Sequence, residues 1–268
     1  MVKGNAIPSS EGGDKKSVVD TPKYPIYDNG KLHISISQGN SKMGNIPQFN
    51  ILPGDEPLTG KNGLPLTNIK GTCGEFCKDC KATCYAIKCA FRYHNTIIPA
   101  WGTNTVILRY DPDKVKNEIT EFCNKSIVKY FRFHTSGELE SLEHLDLYCD
   151  ICRMNPEVTF YIYTKRFDLL VEWFVERGEK KPDNFVINLS EWHGNIQRFL
   201  SEHSKQEYAD FIDSLNVFAF DDKTEASSYA SKLVHCPATD KTGHETGITC
   251  AQCRRCMKSG HKTAVYAH

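Results

Sequence analysis

Four cysteines, Cys73, Cys77, Cys80 and Cys84, stand in the stretch GTCGEFCKDCKATCY at a spacing of C-x3-C-x2-C-x3-C. Sulfur this dense in a reducing compartment points to a metal site, because thiolate is the soft ligand that iron and zinc select. Two triplets share the run: Cys73, Cys77 and Cys80 form C-x3-C-x2-C, and Cys77, Cys80 and Cys84 form C-x2-C-x3-C. The spacing alone leaves open whether three or four thiolates bind. A second group lies in HCPATDKTGHETGITCAQCRRC, where Cys236 is followed at a distance by Cys250, Cys253 and Cys256 in C-x2-C-x2-C. Two consecutive C-x2-C turns fold three sulfurs around one centre, and Cys236 closes it. That pattern favours iron and sulfur, with a tetrahedral zinc as the competitor. Arg254, Arg255, Lys258 and Lys262 surround the second group. They would either offset the charge of a thiolate cluster or form an ordinary solvated face.

The remaining sulfur is read as packing. Cys149 and Cys152 form another C-x2-C, but they share helical spacing with Leu142 and Leu145, so a buried apolar face is expected. Cys123 and Cys89 are assigned to packing in the same way, and His235 and His268 stand as lesser candidates for a ligand beside the second group.

These groups must be positioned by a scaffold, and strands alternate with helices along most of the chain. Strands are expected at 128–135, 158–164, 184–190 and 216–221, with one more before the cysteine loop and one at VHCPA. Helices are expected to begin at YAIKCAFRYH, after Asp111 and Pro112, and over 141–154, 167–177 up to Gly178, 195–215 and 226–233. Near-continuous aromatic and β-branched strand runs are those of a parallel sheet covered on both faces. About six βα units on this pattern fit an open, partial (β/α)6 barrel, with a doubly wound sheet as the alternative. The expected organisation is a loosely ordered arm over 1–30, the barrel over 31–233 with its cysteine loop at 71–85, and a cysteine-rich extension over 234–268.

Functional side chains of parallel α/β folds gather where strands end. Here those ends are polar: His134 to Glu138 after one strand, Tyr163 to Lys165 after the next, and Asn188 to His193 after the third. Any one of them serves equally well as a cap or a surface contact. Together they outline a rim, in which Lys165 and Ser190 are candidate cofactor-binding residues.

Composition excludes several classes. Lys plus Arg equals Asp plus Glu at 33 each among 268 residues, so no net field favours nucleic acid or an anionic membrane. The beginning, MVKGNAIPSSEGGDKK, lacks the apolar core of a signal peptide, and no apolar run approaches the roughly 20 residues that span a bilayer. A cytoplasmic location is therefore expected, where twelve cysteines are metal ligands or packing rather than a disulfide framework.

The segments TCGEFCKDCKATCYAIK, RFHTSGEL, NPEVTFYIYTK, NFVINLS, CAQCRRCM and VYAH resemble a phage-encoded family known as gene product 88. That resemblance carries no assigned activity. Its organisation is similar to that of the radical S-adenosylmethionine enzymes, in which three thiolates of a C-x3-C-x2-C loop bind a 4Fe-4S cluster and leave one iron for the cofactor. The resemblance implies one or two 4Fe-4S clusters, a role for Gly137 and Glu138 in receiving the amino group of S-adenosylmethionine, and a reductant such as a flavodoxin or ferredoxin. Two features depart from the superfamily. Asp79 stands where an aromatic residue usually precedes the third cysteine, and Cys84 as a fourth ligand would close the cluster. A closed cluster leaves an electron carrier, or a sensor, as the alternative. A zinc protein that binds nucleic acid is the third reading.

Overall fold

The computed structural model describes residues 31–60, 63–78, 80–221, 229–242 and 244–266. The arm expected over 1–30 lies outside them, as does His268. The described residues form an eight-stranded sheet in the order β1-β2-β3-β4-β5-β6-β8-β7. Its strands are β1 (Ile36–Ser37), β2 (Gln48–Phe49), β3 (Tyr130–Phe133), β4 (Thr159–Thr164), β5 (Phe185–Glu191), β6 (Asn216–Asp221), β7 (Val234–His235) and β8 (Lys262–Tyr266). All pairings are parallel except that of β1 with β2.

Strands β2 to β6 follow one another in space in chain order. Connections that always step the same way along a sheet put their helices on the same face, without the reversal of strand order that marks a doubly wound sheet. The sheet is not closed. Helices α1 (Tyr85–Arg92), α2 (His94–Tyr110), α3 (Pro112–Lys125), α4 (Leu142–Met154), α5 (Phe167–Val171), α6 (Asn195–His203) and α7 (Gln206–Ser214) precede the short α8 (Cys250–Cys253). On the helical face, Phe131, Phe133, Phe160, Ile162 and Ile187 pack with Val115, Ile119, Tyr148 and Trp173 into one core. Cys149 and Cys152 are fully buried in it, as their helical spacing predicts. The opposite face bears Tyr161 and Val186, covered by Met43, Ile46 and Met257.

Helix boundaries mostly follow local chemistry. Asp111 caps α3 by accepting from the Lys114 amide at 3.1 Å, with Pro112 next to it. After α5 the chain runs into a π turn, Glu172–Glu176, and stops at Gly178 with φ +68°. Two expected helices differ. The stretch 195–215 is broken into α6 and α7 at Ser204, whose φ of 30° is left-handed, so that Phe199 and His203 turn onto Tyr208. Of 226–233, the part described contains only one 3-10 turn, Ala230–Lys232. The sheet also exceeds six units: β8, read as no element in the sequence, inserts between β6 and β7. The C-terminal segment thereby supplies two strands of the same sheet. Helix α2, with Pro99 inside it, was hidden by that proline.

Candidate functional site

The cysteine loop is sewn to the strand ends by backbone and hydroxyl groups. Thr72 N donates to Leu52 O at 3.0 Å and Cys73 N to Gly54 O at 2.8 Å. The Thr72 hydroxyl donates to Leu52 O and accepts from Glu138 N, each at 2.9 Å, which fastens the Ser-Gly-Glu turn after β3 to the base of the loop. Ser136 Oγ donates to Ile51 O at 2.9 Å from the same turn. From α2, the Arg109 guanidinium donates to Lys70 O and Gly71 O while paired with Glu140 at 2.6 Å. Two 3-10 turns, Gly74–Cys77 and Lys81–Thr83, then present the sulfurs, and Cys84 stands at the N-cap of α1.

The four thiols of this loop meet in pairs. The Cys73 thiol donates to Cys77, which together with burial raises its pKa well above the ordinary range and lowers that of Cys77. The Cys80 thiol likewise donates to Cys84, raising its own pKa; Cys84 is lowered by that bond and by the amides of Ala86 and Ile87 in the first turn of α1. Lys165, just beyond β4, sits among them. Burial alone would lower its ammonium, but Cys80, Glu138 and Cys73 outweigh that and raise it. Glu138 is 5% exposed and accepts from Thr164 Oγ1 at 2.6 Å, Leu139 N at 2.8 Å and Lys165 N at 2.9 Å.

Of the rim residues, Gly137, Glu138 and Lys165 come together at the loop. Gly137 has φ +84°, and a Cβ there would fall 2.3 Å from Ile51 Cγ1. Ser190 stands one side chain further on: its hydroxyl accepts from Trp192 Nε1 at 3.2 Å, and Lys165 Nζ lies 5.6 Å from the Trp192 ring. Trp192 in turn stacks on Phe220 at 4.1 Å, so a flat apolar shelf adjoins the ammonium.

The second group is assembled from both ends of the C-terminal segment. Cys236 follows β7, held by its amide on Ala264 O at 2.7 Å. Helix α8 is started by a capping box in which Thr249 and Gln252 satisfy each other's amides, and left-handed Arg254 turns the chain so that Cys256 follows on the next 3-10 turn. Burial raises Cys236, Cys250 and Cys256, while Lys42 lowers Cys236, and Arg132 and Lys42 lower Cys250. Tyr163 donates to Cys256, whose pKa also feels Cys236, Cys250 and Cys253. His235 is engaged elsewhere, with Asp221 at 2.9 Å and stacked on Tyr266 at 3.9 Å.

Both groups are therefore reached from the end of β4: Tyr163, within the strand, donates to Cys256, and Lys165, one residue beyond it, stands by Cys80 and Cys73. In donor type the residues suit a soft metal or an iron–sulfur cluster: eight thiols in two groups, each with a cation beside it. In arrangement the first group is two pairs of thiols, and among the described residues no three or more His, Cys, Asp or Glu side chains stand as they would around a bound metal ion.

The family described as Gene product 88 matches residues 35–259. The chain belongs to the gene product 88 family. The gene product 88 match begins at β1 and runs past Cys256, so that both cysteine groups and the rim fall within it, and it ends before β8. Neither a search of curated proteins nor one of solved structures returned a match. No helix among the described residues is long and apolar enough to cross a membrane.

Reasoning from sequence missed three of the residues that brace this gene product 88 site: Thr72, Arg109 and Arg132. Arg132 had a signal, since it alternates with core residues in a strand whose other face is apolar. Thr72 and Arg109 had none, because their roles depend on contacts remote in sequence. His134, expected on the rim, is buried instead. It follows β3 with φ 56°, is 2% exposed and shares a 2.6 Å hydrogen bond with Tyr148, and burial lowers its pKa to about 3. The folded state thus keeps it neutral while the unfolded chain takes up a proton below the ordinary value of 6.5. Its contribution is complete above that pH and is lost as pH falls through 6.5 towards 3, at about 1.4 kcal/mol per pH unit. In urea titrations, His134→Asn should lose roughly 3 kcal/mol less than the native chain between pH 6.5 and 4; parallel losses would show that His134 titrates normally.

Proposed function

We propose that this chain is an iron–sulfur protein with two clusters, one held by three or four of Cys73, Cys77, Cys80 and Cys84 and the other by Cys236, Cys250, Cys253 and Cys256. The first is read as the site of a reductive reaction at the open ends of the strands. What carries the reading is the grouping itself: two sets of four thiols, each with a cation beside it, Lys165 at the first and Arg132 and Lys42 at the second. When bound, such clusters supply low-potential single electrons. The chain's own residues do the rest. Lys165 places positive charge beside Cys73 and Cys80, Glu138 fixes the turn that seats the loop, and the Trp192–Phe220 shelf gives a planar substrate a wall next to the ammonium.

Within that reading, S-adenosylmethionine is the finer proposal. Its amino group would approach the Glu138 carboxylate, which accepts from three donors and has acceptor capacity left. A specific observation favours the second reading, an electron carrier: Cys84 pairs with Cys80 and feels Lys165, so it stands inside the group, and a fourth thiolate would leave no iron free.

Anaerobic purification followed by iron, sulfide and zinc analysis tests the proposal. About eight irons and eight sulfides per chain are expected for two 4Fe-4S clusters, whereas stoichiometric zinc without sulfide would sink it. Formation of 5'-deoxyadenosine after chemical reduction with S-adenosylmethionine present then separates enzyme from carrier. Cys84→Ala that retains its first cluster would favour the open one.

A further inference from the structure

The covered face of the sheet holds a cation whose partner is not a carboxylate. Gln48 and Arg132 are register neighbours on β2 and β3, so their side chains share that face. Gln48 is 2% exposed; its Oε1 accepts from Thr135 Oγ1, while its Nε2 is buried without an acceptor. The Arg132 guanidinium carbon lies 4.3 Å from the Tyr163 ring centre and 5.9 Å from that of Tyr161. Its Nη1 reaches the Met43 sulfur at 3.8 Å, its other polar neighbour is the Tyr161 hydroxyl, and its Nε is buried without an acceptor. Among the described residues no Asp or Glu forms an ion pair with it. Buried donors left so cost about 1–3 kcal/mol each, and more where charge is involved. A fold that keeps them has an anion to offer.

The second cysteine group is the neighbour that fits. Met43, which touches Arg132, also accepts the Ala251 amide on its carbonyl at 3.1 Å, and Lys42 O accepts the Cys250 amide at 2.9 Å. Cys250 packs in the same patch as Tyr161, and Tyr163, beneath the guanidinium, donates to Cys256. The thiols nearest this cation are therefore those of α8 and the turn after it.

We infer that Arg132, with Gln48 beside it, is the counter-charge of a thiolate-bound cluster on Cys236, Cys250, Cys253 and Cys256 and sets that cluster's reduction potential. This rests on the two-cluster reading. A cluster gains negative charge when it takes an electron from a reductant, and a fixed cation stabilises that state, so its removal makes reduction harder. Lys165 plays the matching part at the other group, which makes the two sites separable.

The experiment is a potentiometric titration, followed by electron paramagnetic resonance, of the anaerobically purified full chain and its Arg132→Met, Arg132→Lys and Gln48→Met variants. Arg132→Met should move one of the two midpoints to more negative values by at least tenfold in the reduction equilibrium, 59 mV for one electron. The other midpoint should stay in place, Arg132→Lys should stay close to the native value, and Gln48→Met should shift the same midpoint less. If Arg132→Met instead loses one cluster, retention of that cluster in Arg132→Lys supports the charge role, and equal loss in both overturns it. Two full clusters with unmoved midpoints in Arg132→Met would overturn this inference alone. A native chain without iron and sulfide would remove the two-cluster reading and this inference with it.

Discussion

Gly71→Ala should lift the cysteine loop off its seat, lowering stability by about 3 kcal/mol or more. The Cβ it adds would fall 2.3 Å from Pro53 O and 2.5 Å from Gly54 O. These atoms belong to backbone, so no rotamer change makes room. The same carbonyl of Gly54 accepts the Cys73 amide, and Gly71 O accepts from Arg109. Relief of the clash therefore breaks the bonds that hold the first cysteine. Gly137→Ala combines a 2.3 Å approach to Ile51 Cγ1 with a left-handed φ of +84°, and it should fall in the same range. The control is Gly178→Ala, with φ +68° and nothing within 4 Å, which should cost only about 1 kcal/mol for the strained backbone. Urea midpoints of the three variants decide the matter. Were Gly71→Ala to match Gly178→Ala, the loop would have slack that the geometry denies it.

What sequence could tell was set by whether a residue's role is local. Asp111 and Pro112 name a helix start by themselves, and Leu142, Leu145, Cys149 and Cys152 name a buried face by their spacing. The parallel sheet follows from alternation of types in the same way. Ser204 and Lys205 carry no breaker signal; they part α6 from α7 because Phe199 and Tyr208 stack, a contact that no window over the sequence registers. Strand β8 went unread because KTAVY stands at the end of a cysteine-rich run and earns its place only by fitting between β6 and β7. At the site, the cysteine spacing located both groups and the strand ends located Glu138 and Lys165. That the end of β4 reaches both groups, through Tyr163 and Lys165, rests on contacts remote in sequence. Gly137 was singled out for a ligand's sake, whereas its φ and its contact with Ile51 give it a packing reason as well.

Glu138→Ala should be the costliest single change at the site, with a loss of roughly 3–5 kcal/mol. The carboxylate answers three donors, the Thr164 hydroxyl and the Leu139 and Lys165 amides, at 2.6, 2.8 and 2.9 Å, and it faces the Lys165 ammonium. Alanine would leave two buried amides without an acceptor and a cation without its carboxylate. Glutamine is the sharper probe, because its shape is kept while one acceptor becomes a donor. If the amide nitrogen takes the position facing Thr164, the hydroxyl can rotate to accept, but the Leu139 N–H cannot. If it takes the other, it meets the Lys165 N–H. Either way one bond is lost, so Glu138→Gln should cost about 1–2 kcal/mol and lie between native and alanine in urea midpoint. Should the two variants prove equally stable, the carboxylate is not the brace that its three contacts make it. Affinity for S-adenosylmethionine then separates structure from binding: Glu138→Gln at a temperature where it is fully folded should bind the cofactor more weakly, since an amide no longer offers the ammonium a charge. Native affinity in that folded variant would leave Glu138 with its structural role and remove it from the cofactor site.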